Sequence, residues 1–172
     1  ARLGNADAQY NLGMAYACGY YGLTADKEKA IFWLKKSAKG ENPMACVQMG
    51  LYYYYTVKTE AAYRKAFKMF VSGYYLGEKE AAVNIGLCYL QGNGVKRDPK
   101  EAVKRFREAV KTTDSGVGYY NLGICYENGF GVKKDYKRAI EAYGKAVEKG
   151  ESAGLNAIKN VYLKMKKKRG KQ

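Results

Sequence analysis

The sequence predicts an all-α fold made of about four helix-turn-helix repeats of 36–37 residues each, followed by a C-terminal capping helix. A polar residue, an apolar residue and a glycine, with a tyrosine three positions later, recur four times, with the glycines at Gly13, Gly50, Gly86 and Gly123. A second string ends in alanine and keeps the same phase, at Ala30, Ala66, Ala102 and Ala139. A period in this range is typical of stacked helical repeats.

Apolar residues within each repeat have helical spacing. Ala8, Leu12 and Tyr16 fall at i, i+4 and i+8, and the segment around Ala30 repeats that spacing, so each repeat contains two helices. We predict helices at 5–18, 27–39, 43–56, 59–76, 78–91, 99–112, 116–128, 136–149 and 151–165. The repeats then occupy approximately 5–40, 41–77, 78–114 and 115–150 of a single domain, with the capping helix and a basic tail at 151–172.

Turn and cap residues support these boundaries. The strings Gly92-Asn93-Gly94 and Gly129-Phe130-Gly131 can adopt positive φ and end a first helix, and Asp26, Asp98 and Asp135 are suited to cap the second helix. The second repeat has neither a glycine turn nor an aspartate at this offset. We therefore expect its second helix to begin early, near Thr59.

Composition narrows the possible functions. The 172 residues include no histidine, which excludes catalysis by Ser-His-Asp or Cys-His groups. No CxxC pair is present to bind zinc, and no apolar run is long enough to span a bilayer. The net charge is +15, of which +7 lies in residues 159 to 172. We expect no enzymatic activity, no metal and no cofactor.

The repeated residues resemble the Sel-one-like repeat family, whose units are related to tetratricopeptide repeats. The family pattern is A-x-x-x-L-G-x-x-Y-x-x-G-x-G-V-x-x-D-x-x-K-A-x-x-W. The first repeat matches it through Ala8, Leu12, Gly13, Tyr16, Asp26, Lys29, Ala30 and Trp33, and the fourth through Leu122, Gly123, Tyr126, Gly129, Gly131, Val132, Asp135 and Ala139. The resemblance implies a right-handed α/α superhelical solenoid that acts as an interaction scaffold or adaptor.

The positions of the four cysteines indicate whether the protein works in an oxidising or a reducing compartment. The cysteine-rich secreted branch of the resembled family joins the two helices of each repeat by a disulfide, but no repeat here has a cysteine in both helices. Cys88 and Cys125 hold equivalent positions in neighbouring repeats, too far apart for a disulfide. We expect buried thiols, which favours a reducing, cytoplasmic compartment.

The resemblance to tetratricopeptide repeats also implies a concave groove lined by the first helices. One candidate column for gripping a peptide backbone contains the side-chain amides of Asn11, Gln48, Asn84, Asn121 and Asn156. Candidate aromatic anchors are Tyr10, Tyr54, Tyr55 and Tyr120, and a candidate apolar floor is Met14, Leu51, Leu87 and Ile124. The alternative is that the amides bind neighbouring segments and the tyrosines pack between helices.

Two classes of partner remain open at this point. The first is a protein or peptide, with an acidic segment favoured by the net charge of +15, held on the concave face. The second is a nucleic acid or ribonucleoprotein that contacts the basic surface. Against the second class, the lysines are spread over both helices of every repeat.

Overall fold

The computed structural model describes residues 5–169, with side chains described through Lys167. Within this range the chain is all-helical, with no strand, which confirms the predicted fold class. The elements are α1 (Ala6–Cys18), α2 (Lys27–Lys39), α3 (Pro43–Tyr52), a π-helical segment (Tyr53–Val57), α4 (Glu60–Tyr75), α5 (Ala81–Gln91), α6 (Pro99–Thr113), α7 (Gly116–Asn128), α8 (Tyr136–Glu148) and α9 (Ala153–Arg169). None of these helices is long and apolar enough to cross a bilayer.

The second repeat departs from the others where its sequence does. The predicted helix at 43–56 is regular only to Tyr52 and continues as the π-helical segment, because no glycine ends it. Lys58 takes the left-handed conformation, with φ of 51°, that glycine supplies elsewhere. Thr59 then caps α4 by accepting a hydrogen bond from the Ala62 backbone N–H, so the early start predicted for α4 is confirmed.

Two other helix boundaries correct the prediction. The helix predicted at 78–91 begins at Ala81, because residues 78–80 continue a turn that follows Gly77, where φ is 118°. The last helix begins at Ala153 and extends to Arg169, beyond the predicted end at residue 165. The lysine-rich segment therefore continues α9 through the end of the described chain.

The chain forms two compact units. The first contains the described residues up to Ala81 together with Asn93–Val95, and the second contains Ala82–Gly92 and the described residues from Lys96 onward. In the first unit, α1 packs on α2 and α3 packs on both α2 and α4. In the second, α7 packs on α6 and α8, and α8 packs on α9.

Aspartate caps connect the two helices of three repeats. Asp26, Asp98 and Asp135 each accept backbone N–H bonds at the start of the second helix, at 3.0–3.1 Å. Their own backbone N–H groups donate to the carbonyls of the repeated tyrosines Tyr16, Tyr89 and Tyr126, at 2.8–2.9 Å. The cap and the tyrosine thus fix the angle at which the chain reverses.

The repeated glycines lie where the helices of a pair approach most closely. A Cβ atom on Gly86 would lie 2.5 Å from Cε1 of the buried Phe106, and Gly50 has the same relation to Phe70. On Gly123 the Cβ would lie 2.5 Å from ring atoms of Tyr143. The facing residues Leu34, Phe70, Phe106 and Tyr143 each stand four positions after the repeated alanine. In each helix pair, therefore, one large side chain of the second helix packs against one glycine of the first helix.

Replacing Gly86 with alanine should destabilise the protein, because the new methyl group has no room beside Phe106. Overpacking of this kind costs about 1–3 kcal/mol. Chemical denaturation monitored by circular dichroism measures the free energy of unfolding.

Gly144→Ala is the matched control for that experiment. Gly144 lies inside α8, and a Cβ there would meet nothing within 4 Å. Alanine should therefore stabilise the helix by about 0.5–1 kcal/mol. Equal effects of the two substitutions would contradict the close contact at Gly86.

The four cysteines should differ in reactivity, because only Cys18 is exposed. All four are free, and burial raises the pKa of Cys88 and of Cys125 to about 12, so both stay protonated thiols near neutral pH. A disulfide-exchange reagent at pH 8 should modify one thiol rapidly in the native protein and four after denaturation. Rapid native modification of Cys88 would contradict this packing.

Candidate functional site

A groove of about 640 Å³ lies in the second unit between α7 and α9, with α8 beneath it. We call it the C-terminal groove. Its lining residues are Tyr120, Ile124 and Glu127 of α7, Tyr143 of α8, and Ala153, Asn156, Ala157, Asn160, Leu163, Lys164 and Lys167 of α9. It therefore combines a short apolar wall with amides and lysines.

The pattern of α9 explains how its side chains reach the groove. Asn156, Asn160 and Leu163 are spaced by four and three residues, so they lie on one face of the helix. Val161 is fully buried and packs with Ala139 and Tyr143, which fixes α9 against α8. The face of α9 that contains Val161 therefore anchors the helix, and the face that contains Asn156 and Asn160 lines the groove.

A hydrogen-bonded cluster forms the floor of the C-terminal groove. Glu127 is only 8% exposed, and its carboxylate accepts a 2.7 Å hydrogen bond from the Tyr143 hydroxyl. Its other oxygen accepts a 2.6 Å hydrogen bond from Lys164 Nζ, which also forms an ion pair with it. A carboxylate this buried requires such partners, and these connect α7, α8 and α9.

The same contacts set the protonation of the cluster. Burial, with a smaller contribution from the bond to Glu127, raises the pKa of Tyr143 above its usual value. The hydrogen bond to Glu127 and the attraction of its charge raise the pKa of Lys164. Both groups are therefore protonated at neutral pH and are poorly suited to act as a base or nucleophile.

Three of the predicted site residues meet in this groove. Tyr120 and Ile124 form its wall on α7, and Asn156 faces them from α9. The Tyr120 ring also packs at a tilt against Tyr143, with the two ring centroids 5.4 Å apart. The structure thus brings together one candidate anchor, one candidate floor residue and one candidate amide.

Two predicted site residues are buried in the fold. Asn121 is 5% exposed, and its amide donates a 2.8 Å hydrogen bond to the Val117 carbonyl of its own helix. Tyr54 is 8% exposed, packs beside Tyr63 and Phe70, and receives a 2.9 Å hydrogen bond from Asn93. Neither side chain lies on an open surface, since the π-helical segment turns Tyr54 inward and Asn121 is buried with its amide bonded within α7. A role of either residue in binding stays a prediction.

The other predicted site residues lie on α1, α3, the π-helical segment and α5. Asn11 and Tyr55 are exposed, and the remaining positions are half-buried. The half-buried residues are Tyr10, Met14, Gln48, Leu51, Asn84 and Leu87. Their role in binding stays a prediction.

Sequence reasoning missed several groove residues: Glu127, Asn160, Leu163, Lys164 and Lys167. One usable signal was present, because the position after the repeated tyrosine is Ala17, Tyr54 and Leu90 in the other repeats and an acid only at Glu127. The α9 residues gave no comparable signal, because that helix breaks the repeat pattern.

Comparisons with known proteins agree with the repeat pattern. The family model described as Sel1 repeat matches residues 6–42, 79–110 and 116–151. The unmatched stretch includes the second repeat, where the glycine turn is missing and the π-helical segment occurs.

One relative and two solved structures are also similar in sequence to this chain. An Arabidopsis thaliana protein, "ERAD-associated E3 ubiquitin-protein ligase component HRD3B", is 30% identical over 59% of this chain, which spans only 16% of that relative's length. A protective antigen of uropathogenic Escherichia coli with an SLR fold is 31% identical, with a TM-score of 0.83 over 94% of this chain and 34% of that one. A Sel1 repeat protein from Oxalobacter formigenes is 30% identical, with a TM-score of 0.83 over 92% of this chain and 62% of that one.

Replacing Tyr143 with phenylalanine should destabilise the protein by removing the hydroxyl that donates to Glu127. Hydrogen bonds to a buried charged group are worth about 1–3 kcal/mol. Tyr162→Phe is the control, because Tyr162 is on α9 and is 53% exposed. Urea unfolding at pH 7 should show a loss for the first variant and almost none for the second.

The same variant should change the response to alkaline pH. A tyrosine with a raised folded pKa stabilises the protein fully below its unfolded pKa, and this stability declines as the pH rises above about 10. Between pH 9.5 and 11, wild type should lose up to about 1.4 kcal/mol per pH unit more than Tyr143→Phe. If the free energies of unfolding of wild type and Tyr143→Phe fall equally between pH 9.5 and 11, the Tyr143 hydroxyl is not buried and protonated as described.

Proposed function

We propose that this chain, which belongs to the Sel1 repeat family, is a non-enzymatic scaffold that holds an extended segment of a partner protein in the C-terminal groove. Proteins of this family are generally protein–protein interaction scaffolds. One matched relative is, by name, a component of a ubiquitin-ligase assembly. This chain would act in the same general way, by supplying a binding surface.

The observation that carries the proposal is a pair of free amides on α9. Asn156 and Asn160 are exposed, four residues apart, and line the groove, and neither amide has a hydrogen-bond partner among the described residues. By contrast, the amides of Asn121 and Asn128 are satisfied by carbonyls of their own helix. Amides that both donate and accept can bind the backbone of an extended peptide.

The opposite wall supplies the complement to those amides. Tyr120 and Ile124 on that wall, together with Leu163 beside the amides on α9, offer apolar surface for one or two partner side chains. Lys164 is engaged with Glu127, so among the described lining residues Lys167 is the cation available to a partner carboxylate. The arrangement therefore favours a segment with an apolar side chain near an acidic one.

Nucleic-acid binding is the second candidate, favoured by the net charge of +15 and by the lysines along α9. Salt separates the two candidates. Affinity for a phosphate backbone falls steeply with salt, in proportion to the number of phosphates neutralised. A peptide held by amides and an aromatic wall should lose little affinity between 50 and 200 mM salt.

Peptides that bind the full chain can be selected from a displayed library. Replacing Asn160 with alanine should lower the affinity of the chain for these peptides. The lost amide leaves a peptide group unpaired, which costs about 1–3 kcal/mol of binding. Stability of the free protein should stay equal or rise slightly, because the amide has no partner in the described part of the chain and alanine favours helix. Isothermal titration and thermal unfolding measure the two quantities.

Lys159→Ala is the matched control, since Lys159 is exposed on α9 but does not line the groove. It should change the affinity for the selected peptides by no more than about twofold relative to wild type, which is the scale of a single exposed charge. If Asn160→Ala lowers stability and leaves the affinity of every selected peptide unchanged, the amides are structural and the proposed site is wrong.

A further inference from the structure

A second recess lies in the first unit, away from the C-terminal groove. Helices α2 and α4 both pack against α3 and leave a pocket of about 370 Å³ between them. We call it the lysine-rimmed pocket. Its residues come from the second halves of α2 and α3, the start of the π-helical segment, and the middle of α4.

The floor of this pocket is apolar and adaptable. Met49, from α3, is 1% exposed and forms the bottom, and Met69 and Tyr53 flank it. Methionine side chains are unbranched and polarisable, so they adjust to apolar groups of different shapes. The floor suits one inserted side chain of leucine or phenylalanine size.

The rim carries four exposed lysines and no acid. Lys35 and Lys39 are one turn apart on α2, and Lys65 and Lys68 are nearly one turn apart on α4, so the two pairs face each other across the opening. Among the described residues, none of the four forms an ion pair. Lys65 lies over the Tyr53 ring, 5.7 Å from its centroid.

The third and fourth repeats together show the same positions arranged differently. The residue equivalent to Lys35 is Arg107, whose guanidinium donates a 3.3 Å hydrogen bond to the Tyr126 hydroxyl. The residue equivalent to Lys68 is the acid Glu141, and the one equivalent to Met69 is Ala142. Unpaired lysines around a methionine floor are therefore a property of the first unit, and the repeat fold does not require them.

We propose that the lysine-rimmed pocket binds an acidic peptide segment in which one leucine or phenylalanine is flanked by glutamate or aspartate. The apolar side chain enters the pocket above Met49, and the flanking carboxylates pair with the lysines of α2 and α4. Charge complementarity specifies the flanks and the apolar floor specifies the anchor. A recess between two helices suits a peptide better than a flat membrane, which cannot reach a side chain as buried as Met49.

The test uses the full 172-residue chain and two synthetic probes. One probe is a fluorescein-labelled nonapeptide with a central leucine between four glutamates on each side, and the other has serine in place of the leucine. Fluorescence anisotropy at 50 mM salt should show the leucine peptide binding at least about tenfold more tightly than the serine peptide, the scale of one buried apolar side chain.

Methyl labelling of methionine locates the probe. The resonances of Met49 and Met69 should shift on addition of the leucine peptide, while those of Met14 and Met165 should not. Met165 packs against the core cluster beside Tyr143 in the other unit, so it reports on the C-terminal groove. Failure of this pocket and failure of the proposed function are thereby distinguishable.

A charge-reversed variant tests the rim. The double variant Lys35→Glu, Lys68→Glu should weaken the leucine peptide at least about tenfold, because both flanks of the peptide then meet a like charge. The matched control, Lys133→Glu with Lys137→Glu, changes the net charge equally at exposed positions of the second unit. It should weaken binding by no more than about threefold, the effect of long-range charge alone.

Three results would overturn the proposal. The first is equal loss of affinity in the two double variants, which would mean non-specific attraction to a basic protein. The second is a leucine peptide that shifts neither Met49 nor Met69. The third is tighter binding of phosphatidylserine vesicles than of the leucine peptide, with the same sensitivity to Lys35→Glu, Lys68→Glu, which would assign the pocket to a membrane surface.

Discussion

The structure depends on one contact made in each repeat, in which a glycine of the first helix meets a large side chain of the second. Gly50 against Phe70 and Gly86 against Phe106 are the clearest cases, because an added Cβ would lie 2.5 Å from the ring in both. The contact sets how closely the two helices pack. The lysine-rimmed pocket lies between helices of the first two pairs, and α7 and α8 of the C-terminal groove are held at that spacing by Gly123 and Tyr143.

The C-terminal groove and the lysine-rimmed pocket show two uses of lysine in this basic chain. Lys164 is paired with the buried Glu127, and its charge stabilises the floor of the groove. The lysines around Met49 have no carboxylate partner among the described residues, so their charge is available to a ligand. The net charge of +15 does not distinguish these roles, whereas the position of the nearest acid does.

The asparagines, like the lysines, include some that are bonded within the fold and some that are available to a ligand. Asn121 belongs to the repeated pattern, yet its amide is satisfied by the Val117 carbonyl in its own helix. Asn156 and Asn160 lie on α9, where the pattern is broken, and their amides remain available. Asn121 thus contributes to its own helix, and the two asparagines of α9 supply candidate binding groups.

The sequence by itself determined the helices, the turns and the packing glycines, because these depend on local spacing, backbone conformation and caps such as Asp98. It could not determine that Glu127, Tyr143 and Lys164 meet, because the three residues come from three different helices and α9 does not follow the repeat pattern. Nor could it place Tyr54, whose burial follows from the π-helical segment that replaces a glycine turn. Tertiary structure decided both, because side-chain burial and pairing depend on how separate helices pack, and a one-dimensional pattern records only the period.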